Sequence, residues 1–217
     1  MRLSEKPPVI EHQDLFHAAT GLRRHLDAAL AEEPRNSDLV FDLQAALQII
    51  KEDFTSTQEN LDSLLASGRI TFDTLWAVTP PNELVYSVDA LGGPRVHRTI
   101  RSGVERKNDG SIVYYVHGRS VDSNGSVLGW TNTEELEIPR YSGEKSISDL
   151  QFYPLRFHNN CARVRKELVE RGRRRIRIQQ ARFHEYQGPA LQETVTSLGM
   201  MRIEKFSVSL SSVPSFA

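Results

Sequence analysis

Between Arg163 and Arg182 the chain concentrates cations. Arg163, Arg165, Lys166, Arg171, Arg173, Arg174, Arg175, Arg177 and Arg182 stand against only Glu167 and Glu170. A guanidinium can hold a carboxylate or a phosphate through two parallel N–H donors, so a cluster this dense is suited to contact an anionic partner. Phe183 and Tyr186 follow closely and would offer planes on which unpaired bases stack. The competing account is a solvated face of helix and strand turned toward acidic neighbours in the same domain. The whole chain carries a formal charge of −1, so any attraction to nucleic acid or anionic lipid has to be local. On that balance a protein partner is expected, and a nucleic-acid-binding module using segment 163–182 is the alternative.

Residue types that could support catalysis do not assemble into a known pattern. A phosphate-binding loop needs GxxxxGK[ST], in which backbone N–H groups at a helix start cradle the phosphates. The glycine clusters at Gly92-Gly93-Pro94 and Gly125 to Gly129 lack the lysine that would follow. His12, His17 and His25 lie on one helical segment, but no two are four residues apart, the spacing that points both rings at a metal. His97, His117, His158 and His184 are scattered, and there is no HExxH or GxSxG. Cys161 is the single cysteine, which rules out an internal disulfide, and it falls on an apolar helical face where thiols act as small hydrophobes. The expectation is a chain that is not an enzyme and has no catalytic, cofactor or metal residues.

Composition bounds the rest. Hydrophobic residues make up 39% and charged residues 25% of 217 residues, enough to bury a core without metals or disulfides. No run approaches the ~18–20 apolar residues of a membrane span. The first ten residues, with Lys6, Pro7 and Pro8, have no apolar signal-peptide segment. An intracellular location, cytoplasmic or nuclear, is therefore expected, with no membrane association.

The elements that must position the basic segment read as an α+β fold. Residues 1–12 form a flexible start and 13–67 a helical hairpin. One helix runs from about Gln13 to Glu33, with Leu15, Ala19, Leu22, Leu26 and Ala29 on a stripe, and Pro34 ends it. Arg35-Asn36-Ser37-Asp38 supplies cap candidates for a second, from about Leu39 to Ser67. Its seam is Leu43, Leu47, Ile50, Phe54, Thr57, Leu61 and Leu64, with Gly68 closing it. Matching stripes and a short linker favour a hairpin folded on its own domain over a dimerising coiled coil.

Residues 68–191 read as a β-rich unit. Leu84–Val88, Arg95–Ser102, Ser111–Ser120, Ser126–Trp130 and Leu136–Pro139 are strand-like runs, with hairpin signals at Asn108-Asp109-Gly110 and Asn124-Gly125. A short element follows over Ile147–Leu155. Ser111–Ser120 is apolar on both faces and should be central. These runs predict an antiparallel sheet that curls or closes into a small barrel. One late helix is expected over Asn159–Arg171, ended by Gly172, followed by a strand over Arg174–Tyr186. Residues 192–217 read as a loose tail.

Several strings in order carry a family resemblance. They are LDSLLASGRITFDTLW (Leu61–Trp76), Pro80-Pro81-Asn82, Leu84-Val85-Tyr86, Leu136–Arg140 and Ser142-Gly143-Glu144. Leu150–His158, Glu170–Arg173 and Glu185–Gly188 complete the set. Over about Glu33–Leu191 the chain resembles the uncharacterised domain ahead of the ATPase core in fungal AAA-type ATPases. The resemblance implies a non-catalytic domain that recruits substrates or positions the ring, and it carries over no catalytic residue. Full-length relatives would be ATPases, but the nucleotide-binding core has no counterpart after Leu191. A stand-alone relative or a truncated gene product is the implied origin.

Overall fold

A computed structural model describes residues 10–123, 127–132, 136–178, 187–195 and 201–209. Helix α1 (His12–Ala31) and helix α2 (Ser37–Ala66) form the expected hairpin, packed along each other. The Asn36 side chain accepts the Leu39 N–H at 3.1 Å and so satisfies one of the free donors of the first turn of α2. All seven seam positions of α2 are buried or half-buried, and Gly68 leaves the helix at φ +67°, a conformation glycine adopts without strain. Phe16, Phe54 and Trp76 meet with ring centroids 5.1–6.3 Å apart, fastening both helices to the short α3 (Leu75–Val78). Leu61, lower on α2, enters the main core. The helical hairpin is therefore continuous with the β-rich part.

Strand β1 (Arg69–Thr71) pairs with β7 (Glu144–Ser146) in a small sheet. The main sheet has six antiparallel strands: β2 (Leu84–Val88), β3 (Pro94–Arg106), β4 (Ile112–Ser123), β5 (Leu128–Asn132), β6 (Leu136–Pro139) and β8 (Phe152–Pro154). The order is β5-β4-β3-β2-β8, with β6 continuing along the edge of β4 that β5 occupies. β4 is thus paired on both sides, as its two apolar faces predict. Gly110, at φ +84°, turns the β3–β4 hairpin. The Asn124-Gly125 turn lies outside the described residues.

The sheet curls far enough for β6 to approach β8, yet the two edges do not hydrogen bond. Of the two forms that the strand pattern predicts, curled sheet or small barrel, the structure has the open, curled sheet. Its concave face carries Val85, Tyr114, Val116, Ile138 and Phe152, which pack against Ile70, Phe72, Leu75 and Ile147. The Tyr114 hydroxyl bonds Thr79 Oγ1, which itself donates to the Leu75 carbonyl at 3.1 Å, tying the core of the sheet to α3.

Helix α4 covers Cys161–Ile178. Two expectations fail here: Gly172 does not end the helix, and residues 174–178 are helical rather than extended. A glycine inside a helix costs only about 1 kcal/mol relative to alanine, and the surrounding Arg, Lys, Glu and Leu are strong helix formers. The four-residue alternation Arg175–Ile178 is too short to distinguish a strand from a helix whose inner face is met by the sheet. The remainder of the expected strand, 179–186, is outside the described residues. Strands β9 (Gln187–Val195) and β10 (Met201–Ser209) pair as a second two-stranded sheet. Residues 201–209 thus form a strand where the sequence pattern reads as loose tail. Among the described residues no helix is long and apolar enough to cross a membrane.

Candidate functional site

The basic segment resolves into two faces of α4. The helix starts where the Asn160 N–H donates to His158 Nδ1 at 3.0 Å and Cys161 N–H to the His158 carbonyl at 3.0 Å. Val164 is buried and Leu168 half-buried against the sheet. On the same side Arg171 donates to the Pro94 carbonyl at 2.6 Å, and Arg175 pairs with Asp122 at 3.4 Å. These two cations hold the helix on the hairpin of β2 and β3 and on β4.

The opposite side differs. Arg163, Lys166, Arg173, Arg174 and Arg177 fall on one face of an α-helix, with Glu170 completing the steps of three and four that link Lys166, Arg173 and Arg177. From Arg163 to Arg177 that stripe is about 21 Å long. All five side chains are exposed, and none has an ion-pair partner among the described residues. Arg165 is also exposed, at the rim of a cleft with Pro81, Glu83, Arg156 and Cys161. Arg156 in turn pairs with Glu83 and donates to the Val78 carbonyl at 3.0 Å. Arg182, with Phe183 and Tyr186, lies outside the described residues.

Beside the stripe, Ala162, Val169 and Ile176 recur every seven residues. Val169 is 47% and Ile176 54% exposed. Glu167 borders the cations and Glu170 stands among them, four residues after Lys166 and three before Arg173. The outer face of α4 is therefore a basic stripe with an apolar seam next to it.

Between α4 and the sheet runs a groove of about 510 Å³, lined by Asp89, Arg95, His97, Ser120, Asp122 and Arg171 among others. Its charges are largely matched. Burial raises the tendency of Asp89 to hold a proton. That is outweighed by the Gly93 N–H at 2.8 Å, Arg95 Nε at 3.3 Å and the Leu91 N–H at 2.9 Å, which keep its carboxyl below the usual range. On the floor, buried His97 shares a hydrogen bond of 3.0 Å between Nε2 and Ser87 Oγ. Its Nδ1, like Thr99 Oγ1, has no protein partner among the described residues. Burial, and then the Arg95 charge, lower the affinity of His97 for a proton. A groove with paired charges and a neutral imidazole provides no concentrated field for an anion.

Three further histidines are packed against aromatic rings. His12 lies 4.2 Å from the Phe54 ring, His17 Nε2 donates to the Trp76 carbonyl at 3.1 Å, and His158 is 4.7 Å from the Tyr86 ring. Among the described residues no three His, Cys, Asp or Glu side chains converge as metal ligands.

A second surface was not singled out by the sequence. On the convex face of β3, β4 and β5, Trp130 is 56% exposed, with Arg119 Cζ at 4.6 Å and Arg98 Cζ at 5.7 Å from its ring centroid. Nearby, Arg101 Cζ lies 5.9 Å from the Tyr115 ring and its Nη2 is 3.1 Å from His117 Nε2. The only clue in the sequence was an arginine spacing that becomes informative once strand register is known.

Residues 60–159 match the family model of a domain of unknown function, DUF7025. The match runs from the end of α2 through β8, covers under half the chain, and leaves out α1 and α4. No curated protein and no solved structure matches the chain.

Proposed function

We propose that this chain is a non-catalytic recognition domain of the type that accompanies an AAA motor, acting through protein contacts made by the outer face of α4. The observation that carries the reading is the composite character of that face. Five cations on one helix face, with no ion-pair partner among the described residues, beside the Ala162–Val169–Ile176 seam would suit an acidic, amphipathic helix of a partner. Charge would set the encounter rate and register, and the seam would supply the apolar contact. The matched family segment lies inside the stretch whose ordered strings resemble the AAA accessory domain, which supports the architectural part of the proposal.

Phosphate is less well suited to α4, because Glu167 and Glu170 adjoin the stripe and would repel a polyanionic backbone. The test uses Arg173→Glu, Arg174→Glu and Arg177→Glu together, leaving Arg171 and Arg175 to hold the helix. A synthetic amphipathic helix rich in Glu should bind the native chain with salt-sensitive affinity and lose at least tenfold on the triple variant. Equal binding by both proteins, or none at low salt, refutes the assignment to α4. Binding of oligonucleotide in place of peptide, abolished by the same variant, would move α4 to the nucleic-acid class. A magnesium-dependent ATPase rate in the pure chain would overturn the non-catalytic part.

A further inference from the structure

The convex face of the main sheet presents a different chemistry, independent of α4. Residues paired directly across antiparallel strands share a face. Arg98, Arg119 and Asn132 therefore form one row, Arg101 and His117 a second, and Gly103 and Tyr115 a third. Trp130 and its partner Val121 extend the same face beyond Arg119.

Arg98 and Arg101 are three residues apart and would point to opposite sides of a regular strand. They share a side because the β3–β4 register shifts between Thr99 and Arg101. The bulge at Ile100 re-aims Arg101, the kind of adjustment that bulges make beside functional surfaces. Gly103 makes room for the tyrosine of the third row: a Cβ there would lie 3.0 Å from Tyr115 Oη.

None of Arg98, Arg101 and Arg119 has a carboxylate partner among the described residues. Among the described residues, the acids paired onto this face are Glu105, opposite Val113, and Glu137, which lies opposite Tyr115 and is bridged by Lys107 at 2.5 Å. The patch is thus an exposed indole, a phenol ring and three guanidiniums without a carboxylate partner among the described residues, interleaved in rows about 7 Å apart along the strands.

We infer that this face binds single-stranded nucleic acid. Successive phosphates would meet Arg98, Arg101 and Arg119, while bases stack on Trp130, on Tyr115 or on the guanidinium planes, as on other open sheet platforms. An acidic peptide would satisfy the guanidiniums but would leave the planar groups between them without stacking partners. A duplex would keep its bases out of reach of Trp130. This surface goes beyond the α4 reading and does not rest on it.

The experiment measures anisotropy of a labelled oligo-dT of about 12 nucleotides, within the site sizes of sheet-based binders, against the full chain and against the matched duplex. Trp76→Phe isolates the Trp130 emission. The expected result is salt-sensitive binding that favours the single strand, quenches Trp130, and weakens about tenfold or more in Trp130→Ala and in Arg98→Ala with Arg119→Ala. Trp130→Phe should retain most of the affinity, and the α4 triple variant should bind unchanged. The inference is overturned by no binding at low salt, by equal binding to duplex, or by loss that follows the α4 variant alone. A Glu-rich peptide that binds here in place of the oligonucleotide, and is lost in Trp130→Ala, would also overturn it. All the substituted side chains on this face are solvent-facing, and a circular-dichroism spectrum confirms that each variant is folded.

Discussion

Replacing Phe54 with alanine tests whether the helical hairpin is part of the domain. Phe54 is 4% exposed and touches Phe16 at 5.3 Å, Trp76 at 6.3 Å and His12 at 4.2 Å between centroids. A buried aromatic removes ~150–250 Å² from water, which at ~25 cal/mol/Å² amounts to roughly 4–6 kcal/mol. The alanine that remains retains part of this, so Phe54→Ala should cost about 3–5 kcal/mol, the usual range for such truncations. For a chain of this length each kcal/mol lowers Tm by about 2–4 °C, so a loss of roughly 6–20 °C is expected. Phe54→Leu should cost about a third as much. The assay is thermal unfolding followed by tryptophan fluorescence and by circular dichroism at two protein concentrations. One cooperative transition, equally displaced by both probes, is expected. A loss below about 1 kcal/mol, or a Tm that rises with concentration, would show that the α2 seam serves another chain.

Three further outcomes follow from particular contacts. Asn36→Ala removes the cap of α2 and should cost about 1 kcal/mol in a urea titration, with Asn36→Asp nearly neutral. Tyr114→Phe deletes the hydroxyl bonded to Thr79 in the core and should cost roughly 0.5–1.5 kcal/mol; a cycle with Thr79→Val should show coupling between the two sites. His17 and His97 both bind protons less readily in the folded chain than at the ordinary value of 6.5, burial being the main cause. As pH falls below 6.5 the unfolded chain takes up protons first. Their contribution is therefore full above that value and declines below it, until the folded imidazoles also protonate. Urea midpoints at about pH 7.5 and about pH 5.5 should differ by less in a His17→Gln, His97→Gln double variant than in the native chain.

How much the sequence revealed depended on whether a feature was local. The seam from Leu43 to Leu64, the cap at Asn36 and the turn at Gly110 are written in neighbouring residues, and each appears where its pattern places it. Pairing partners are not local. β1 joins β7 across 75 residues, as the Arg69–Glu144 bridge marks, and nothing near Arg69 announces it. Gly172 was misread because a glycine was given the weight of a stop when the flanking residues favoured continuation. The basic cluster was legible as composition, but its division into two anchoring cations, an outer stripe of five and Arg165 at a cleft came from the sheet that α4 meets. The convex patch was hidden for a different reason. Only the bulge at Ile100 places Arg98 and Arg101 together, and a bulge is a property of two paired strands.

The short margins of the curled sheet limit how it can be used. One margin is β8, three residues ending in Pro154, and the other is split between β5 and β6, the latter ending in Pro139. Proline has no N–H to offer a neighbouring chain, and such brief margins give an incoming strand little to zip against. This sheet is therefore poorly suited to recruiting a partner by extending its own backbone ladder. Selectivity at the main sheet has to come from side chains on its faces, so exchanging surface residues should retune what the domain recognises without rebuilding its fold.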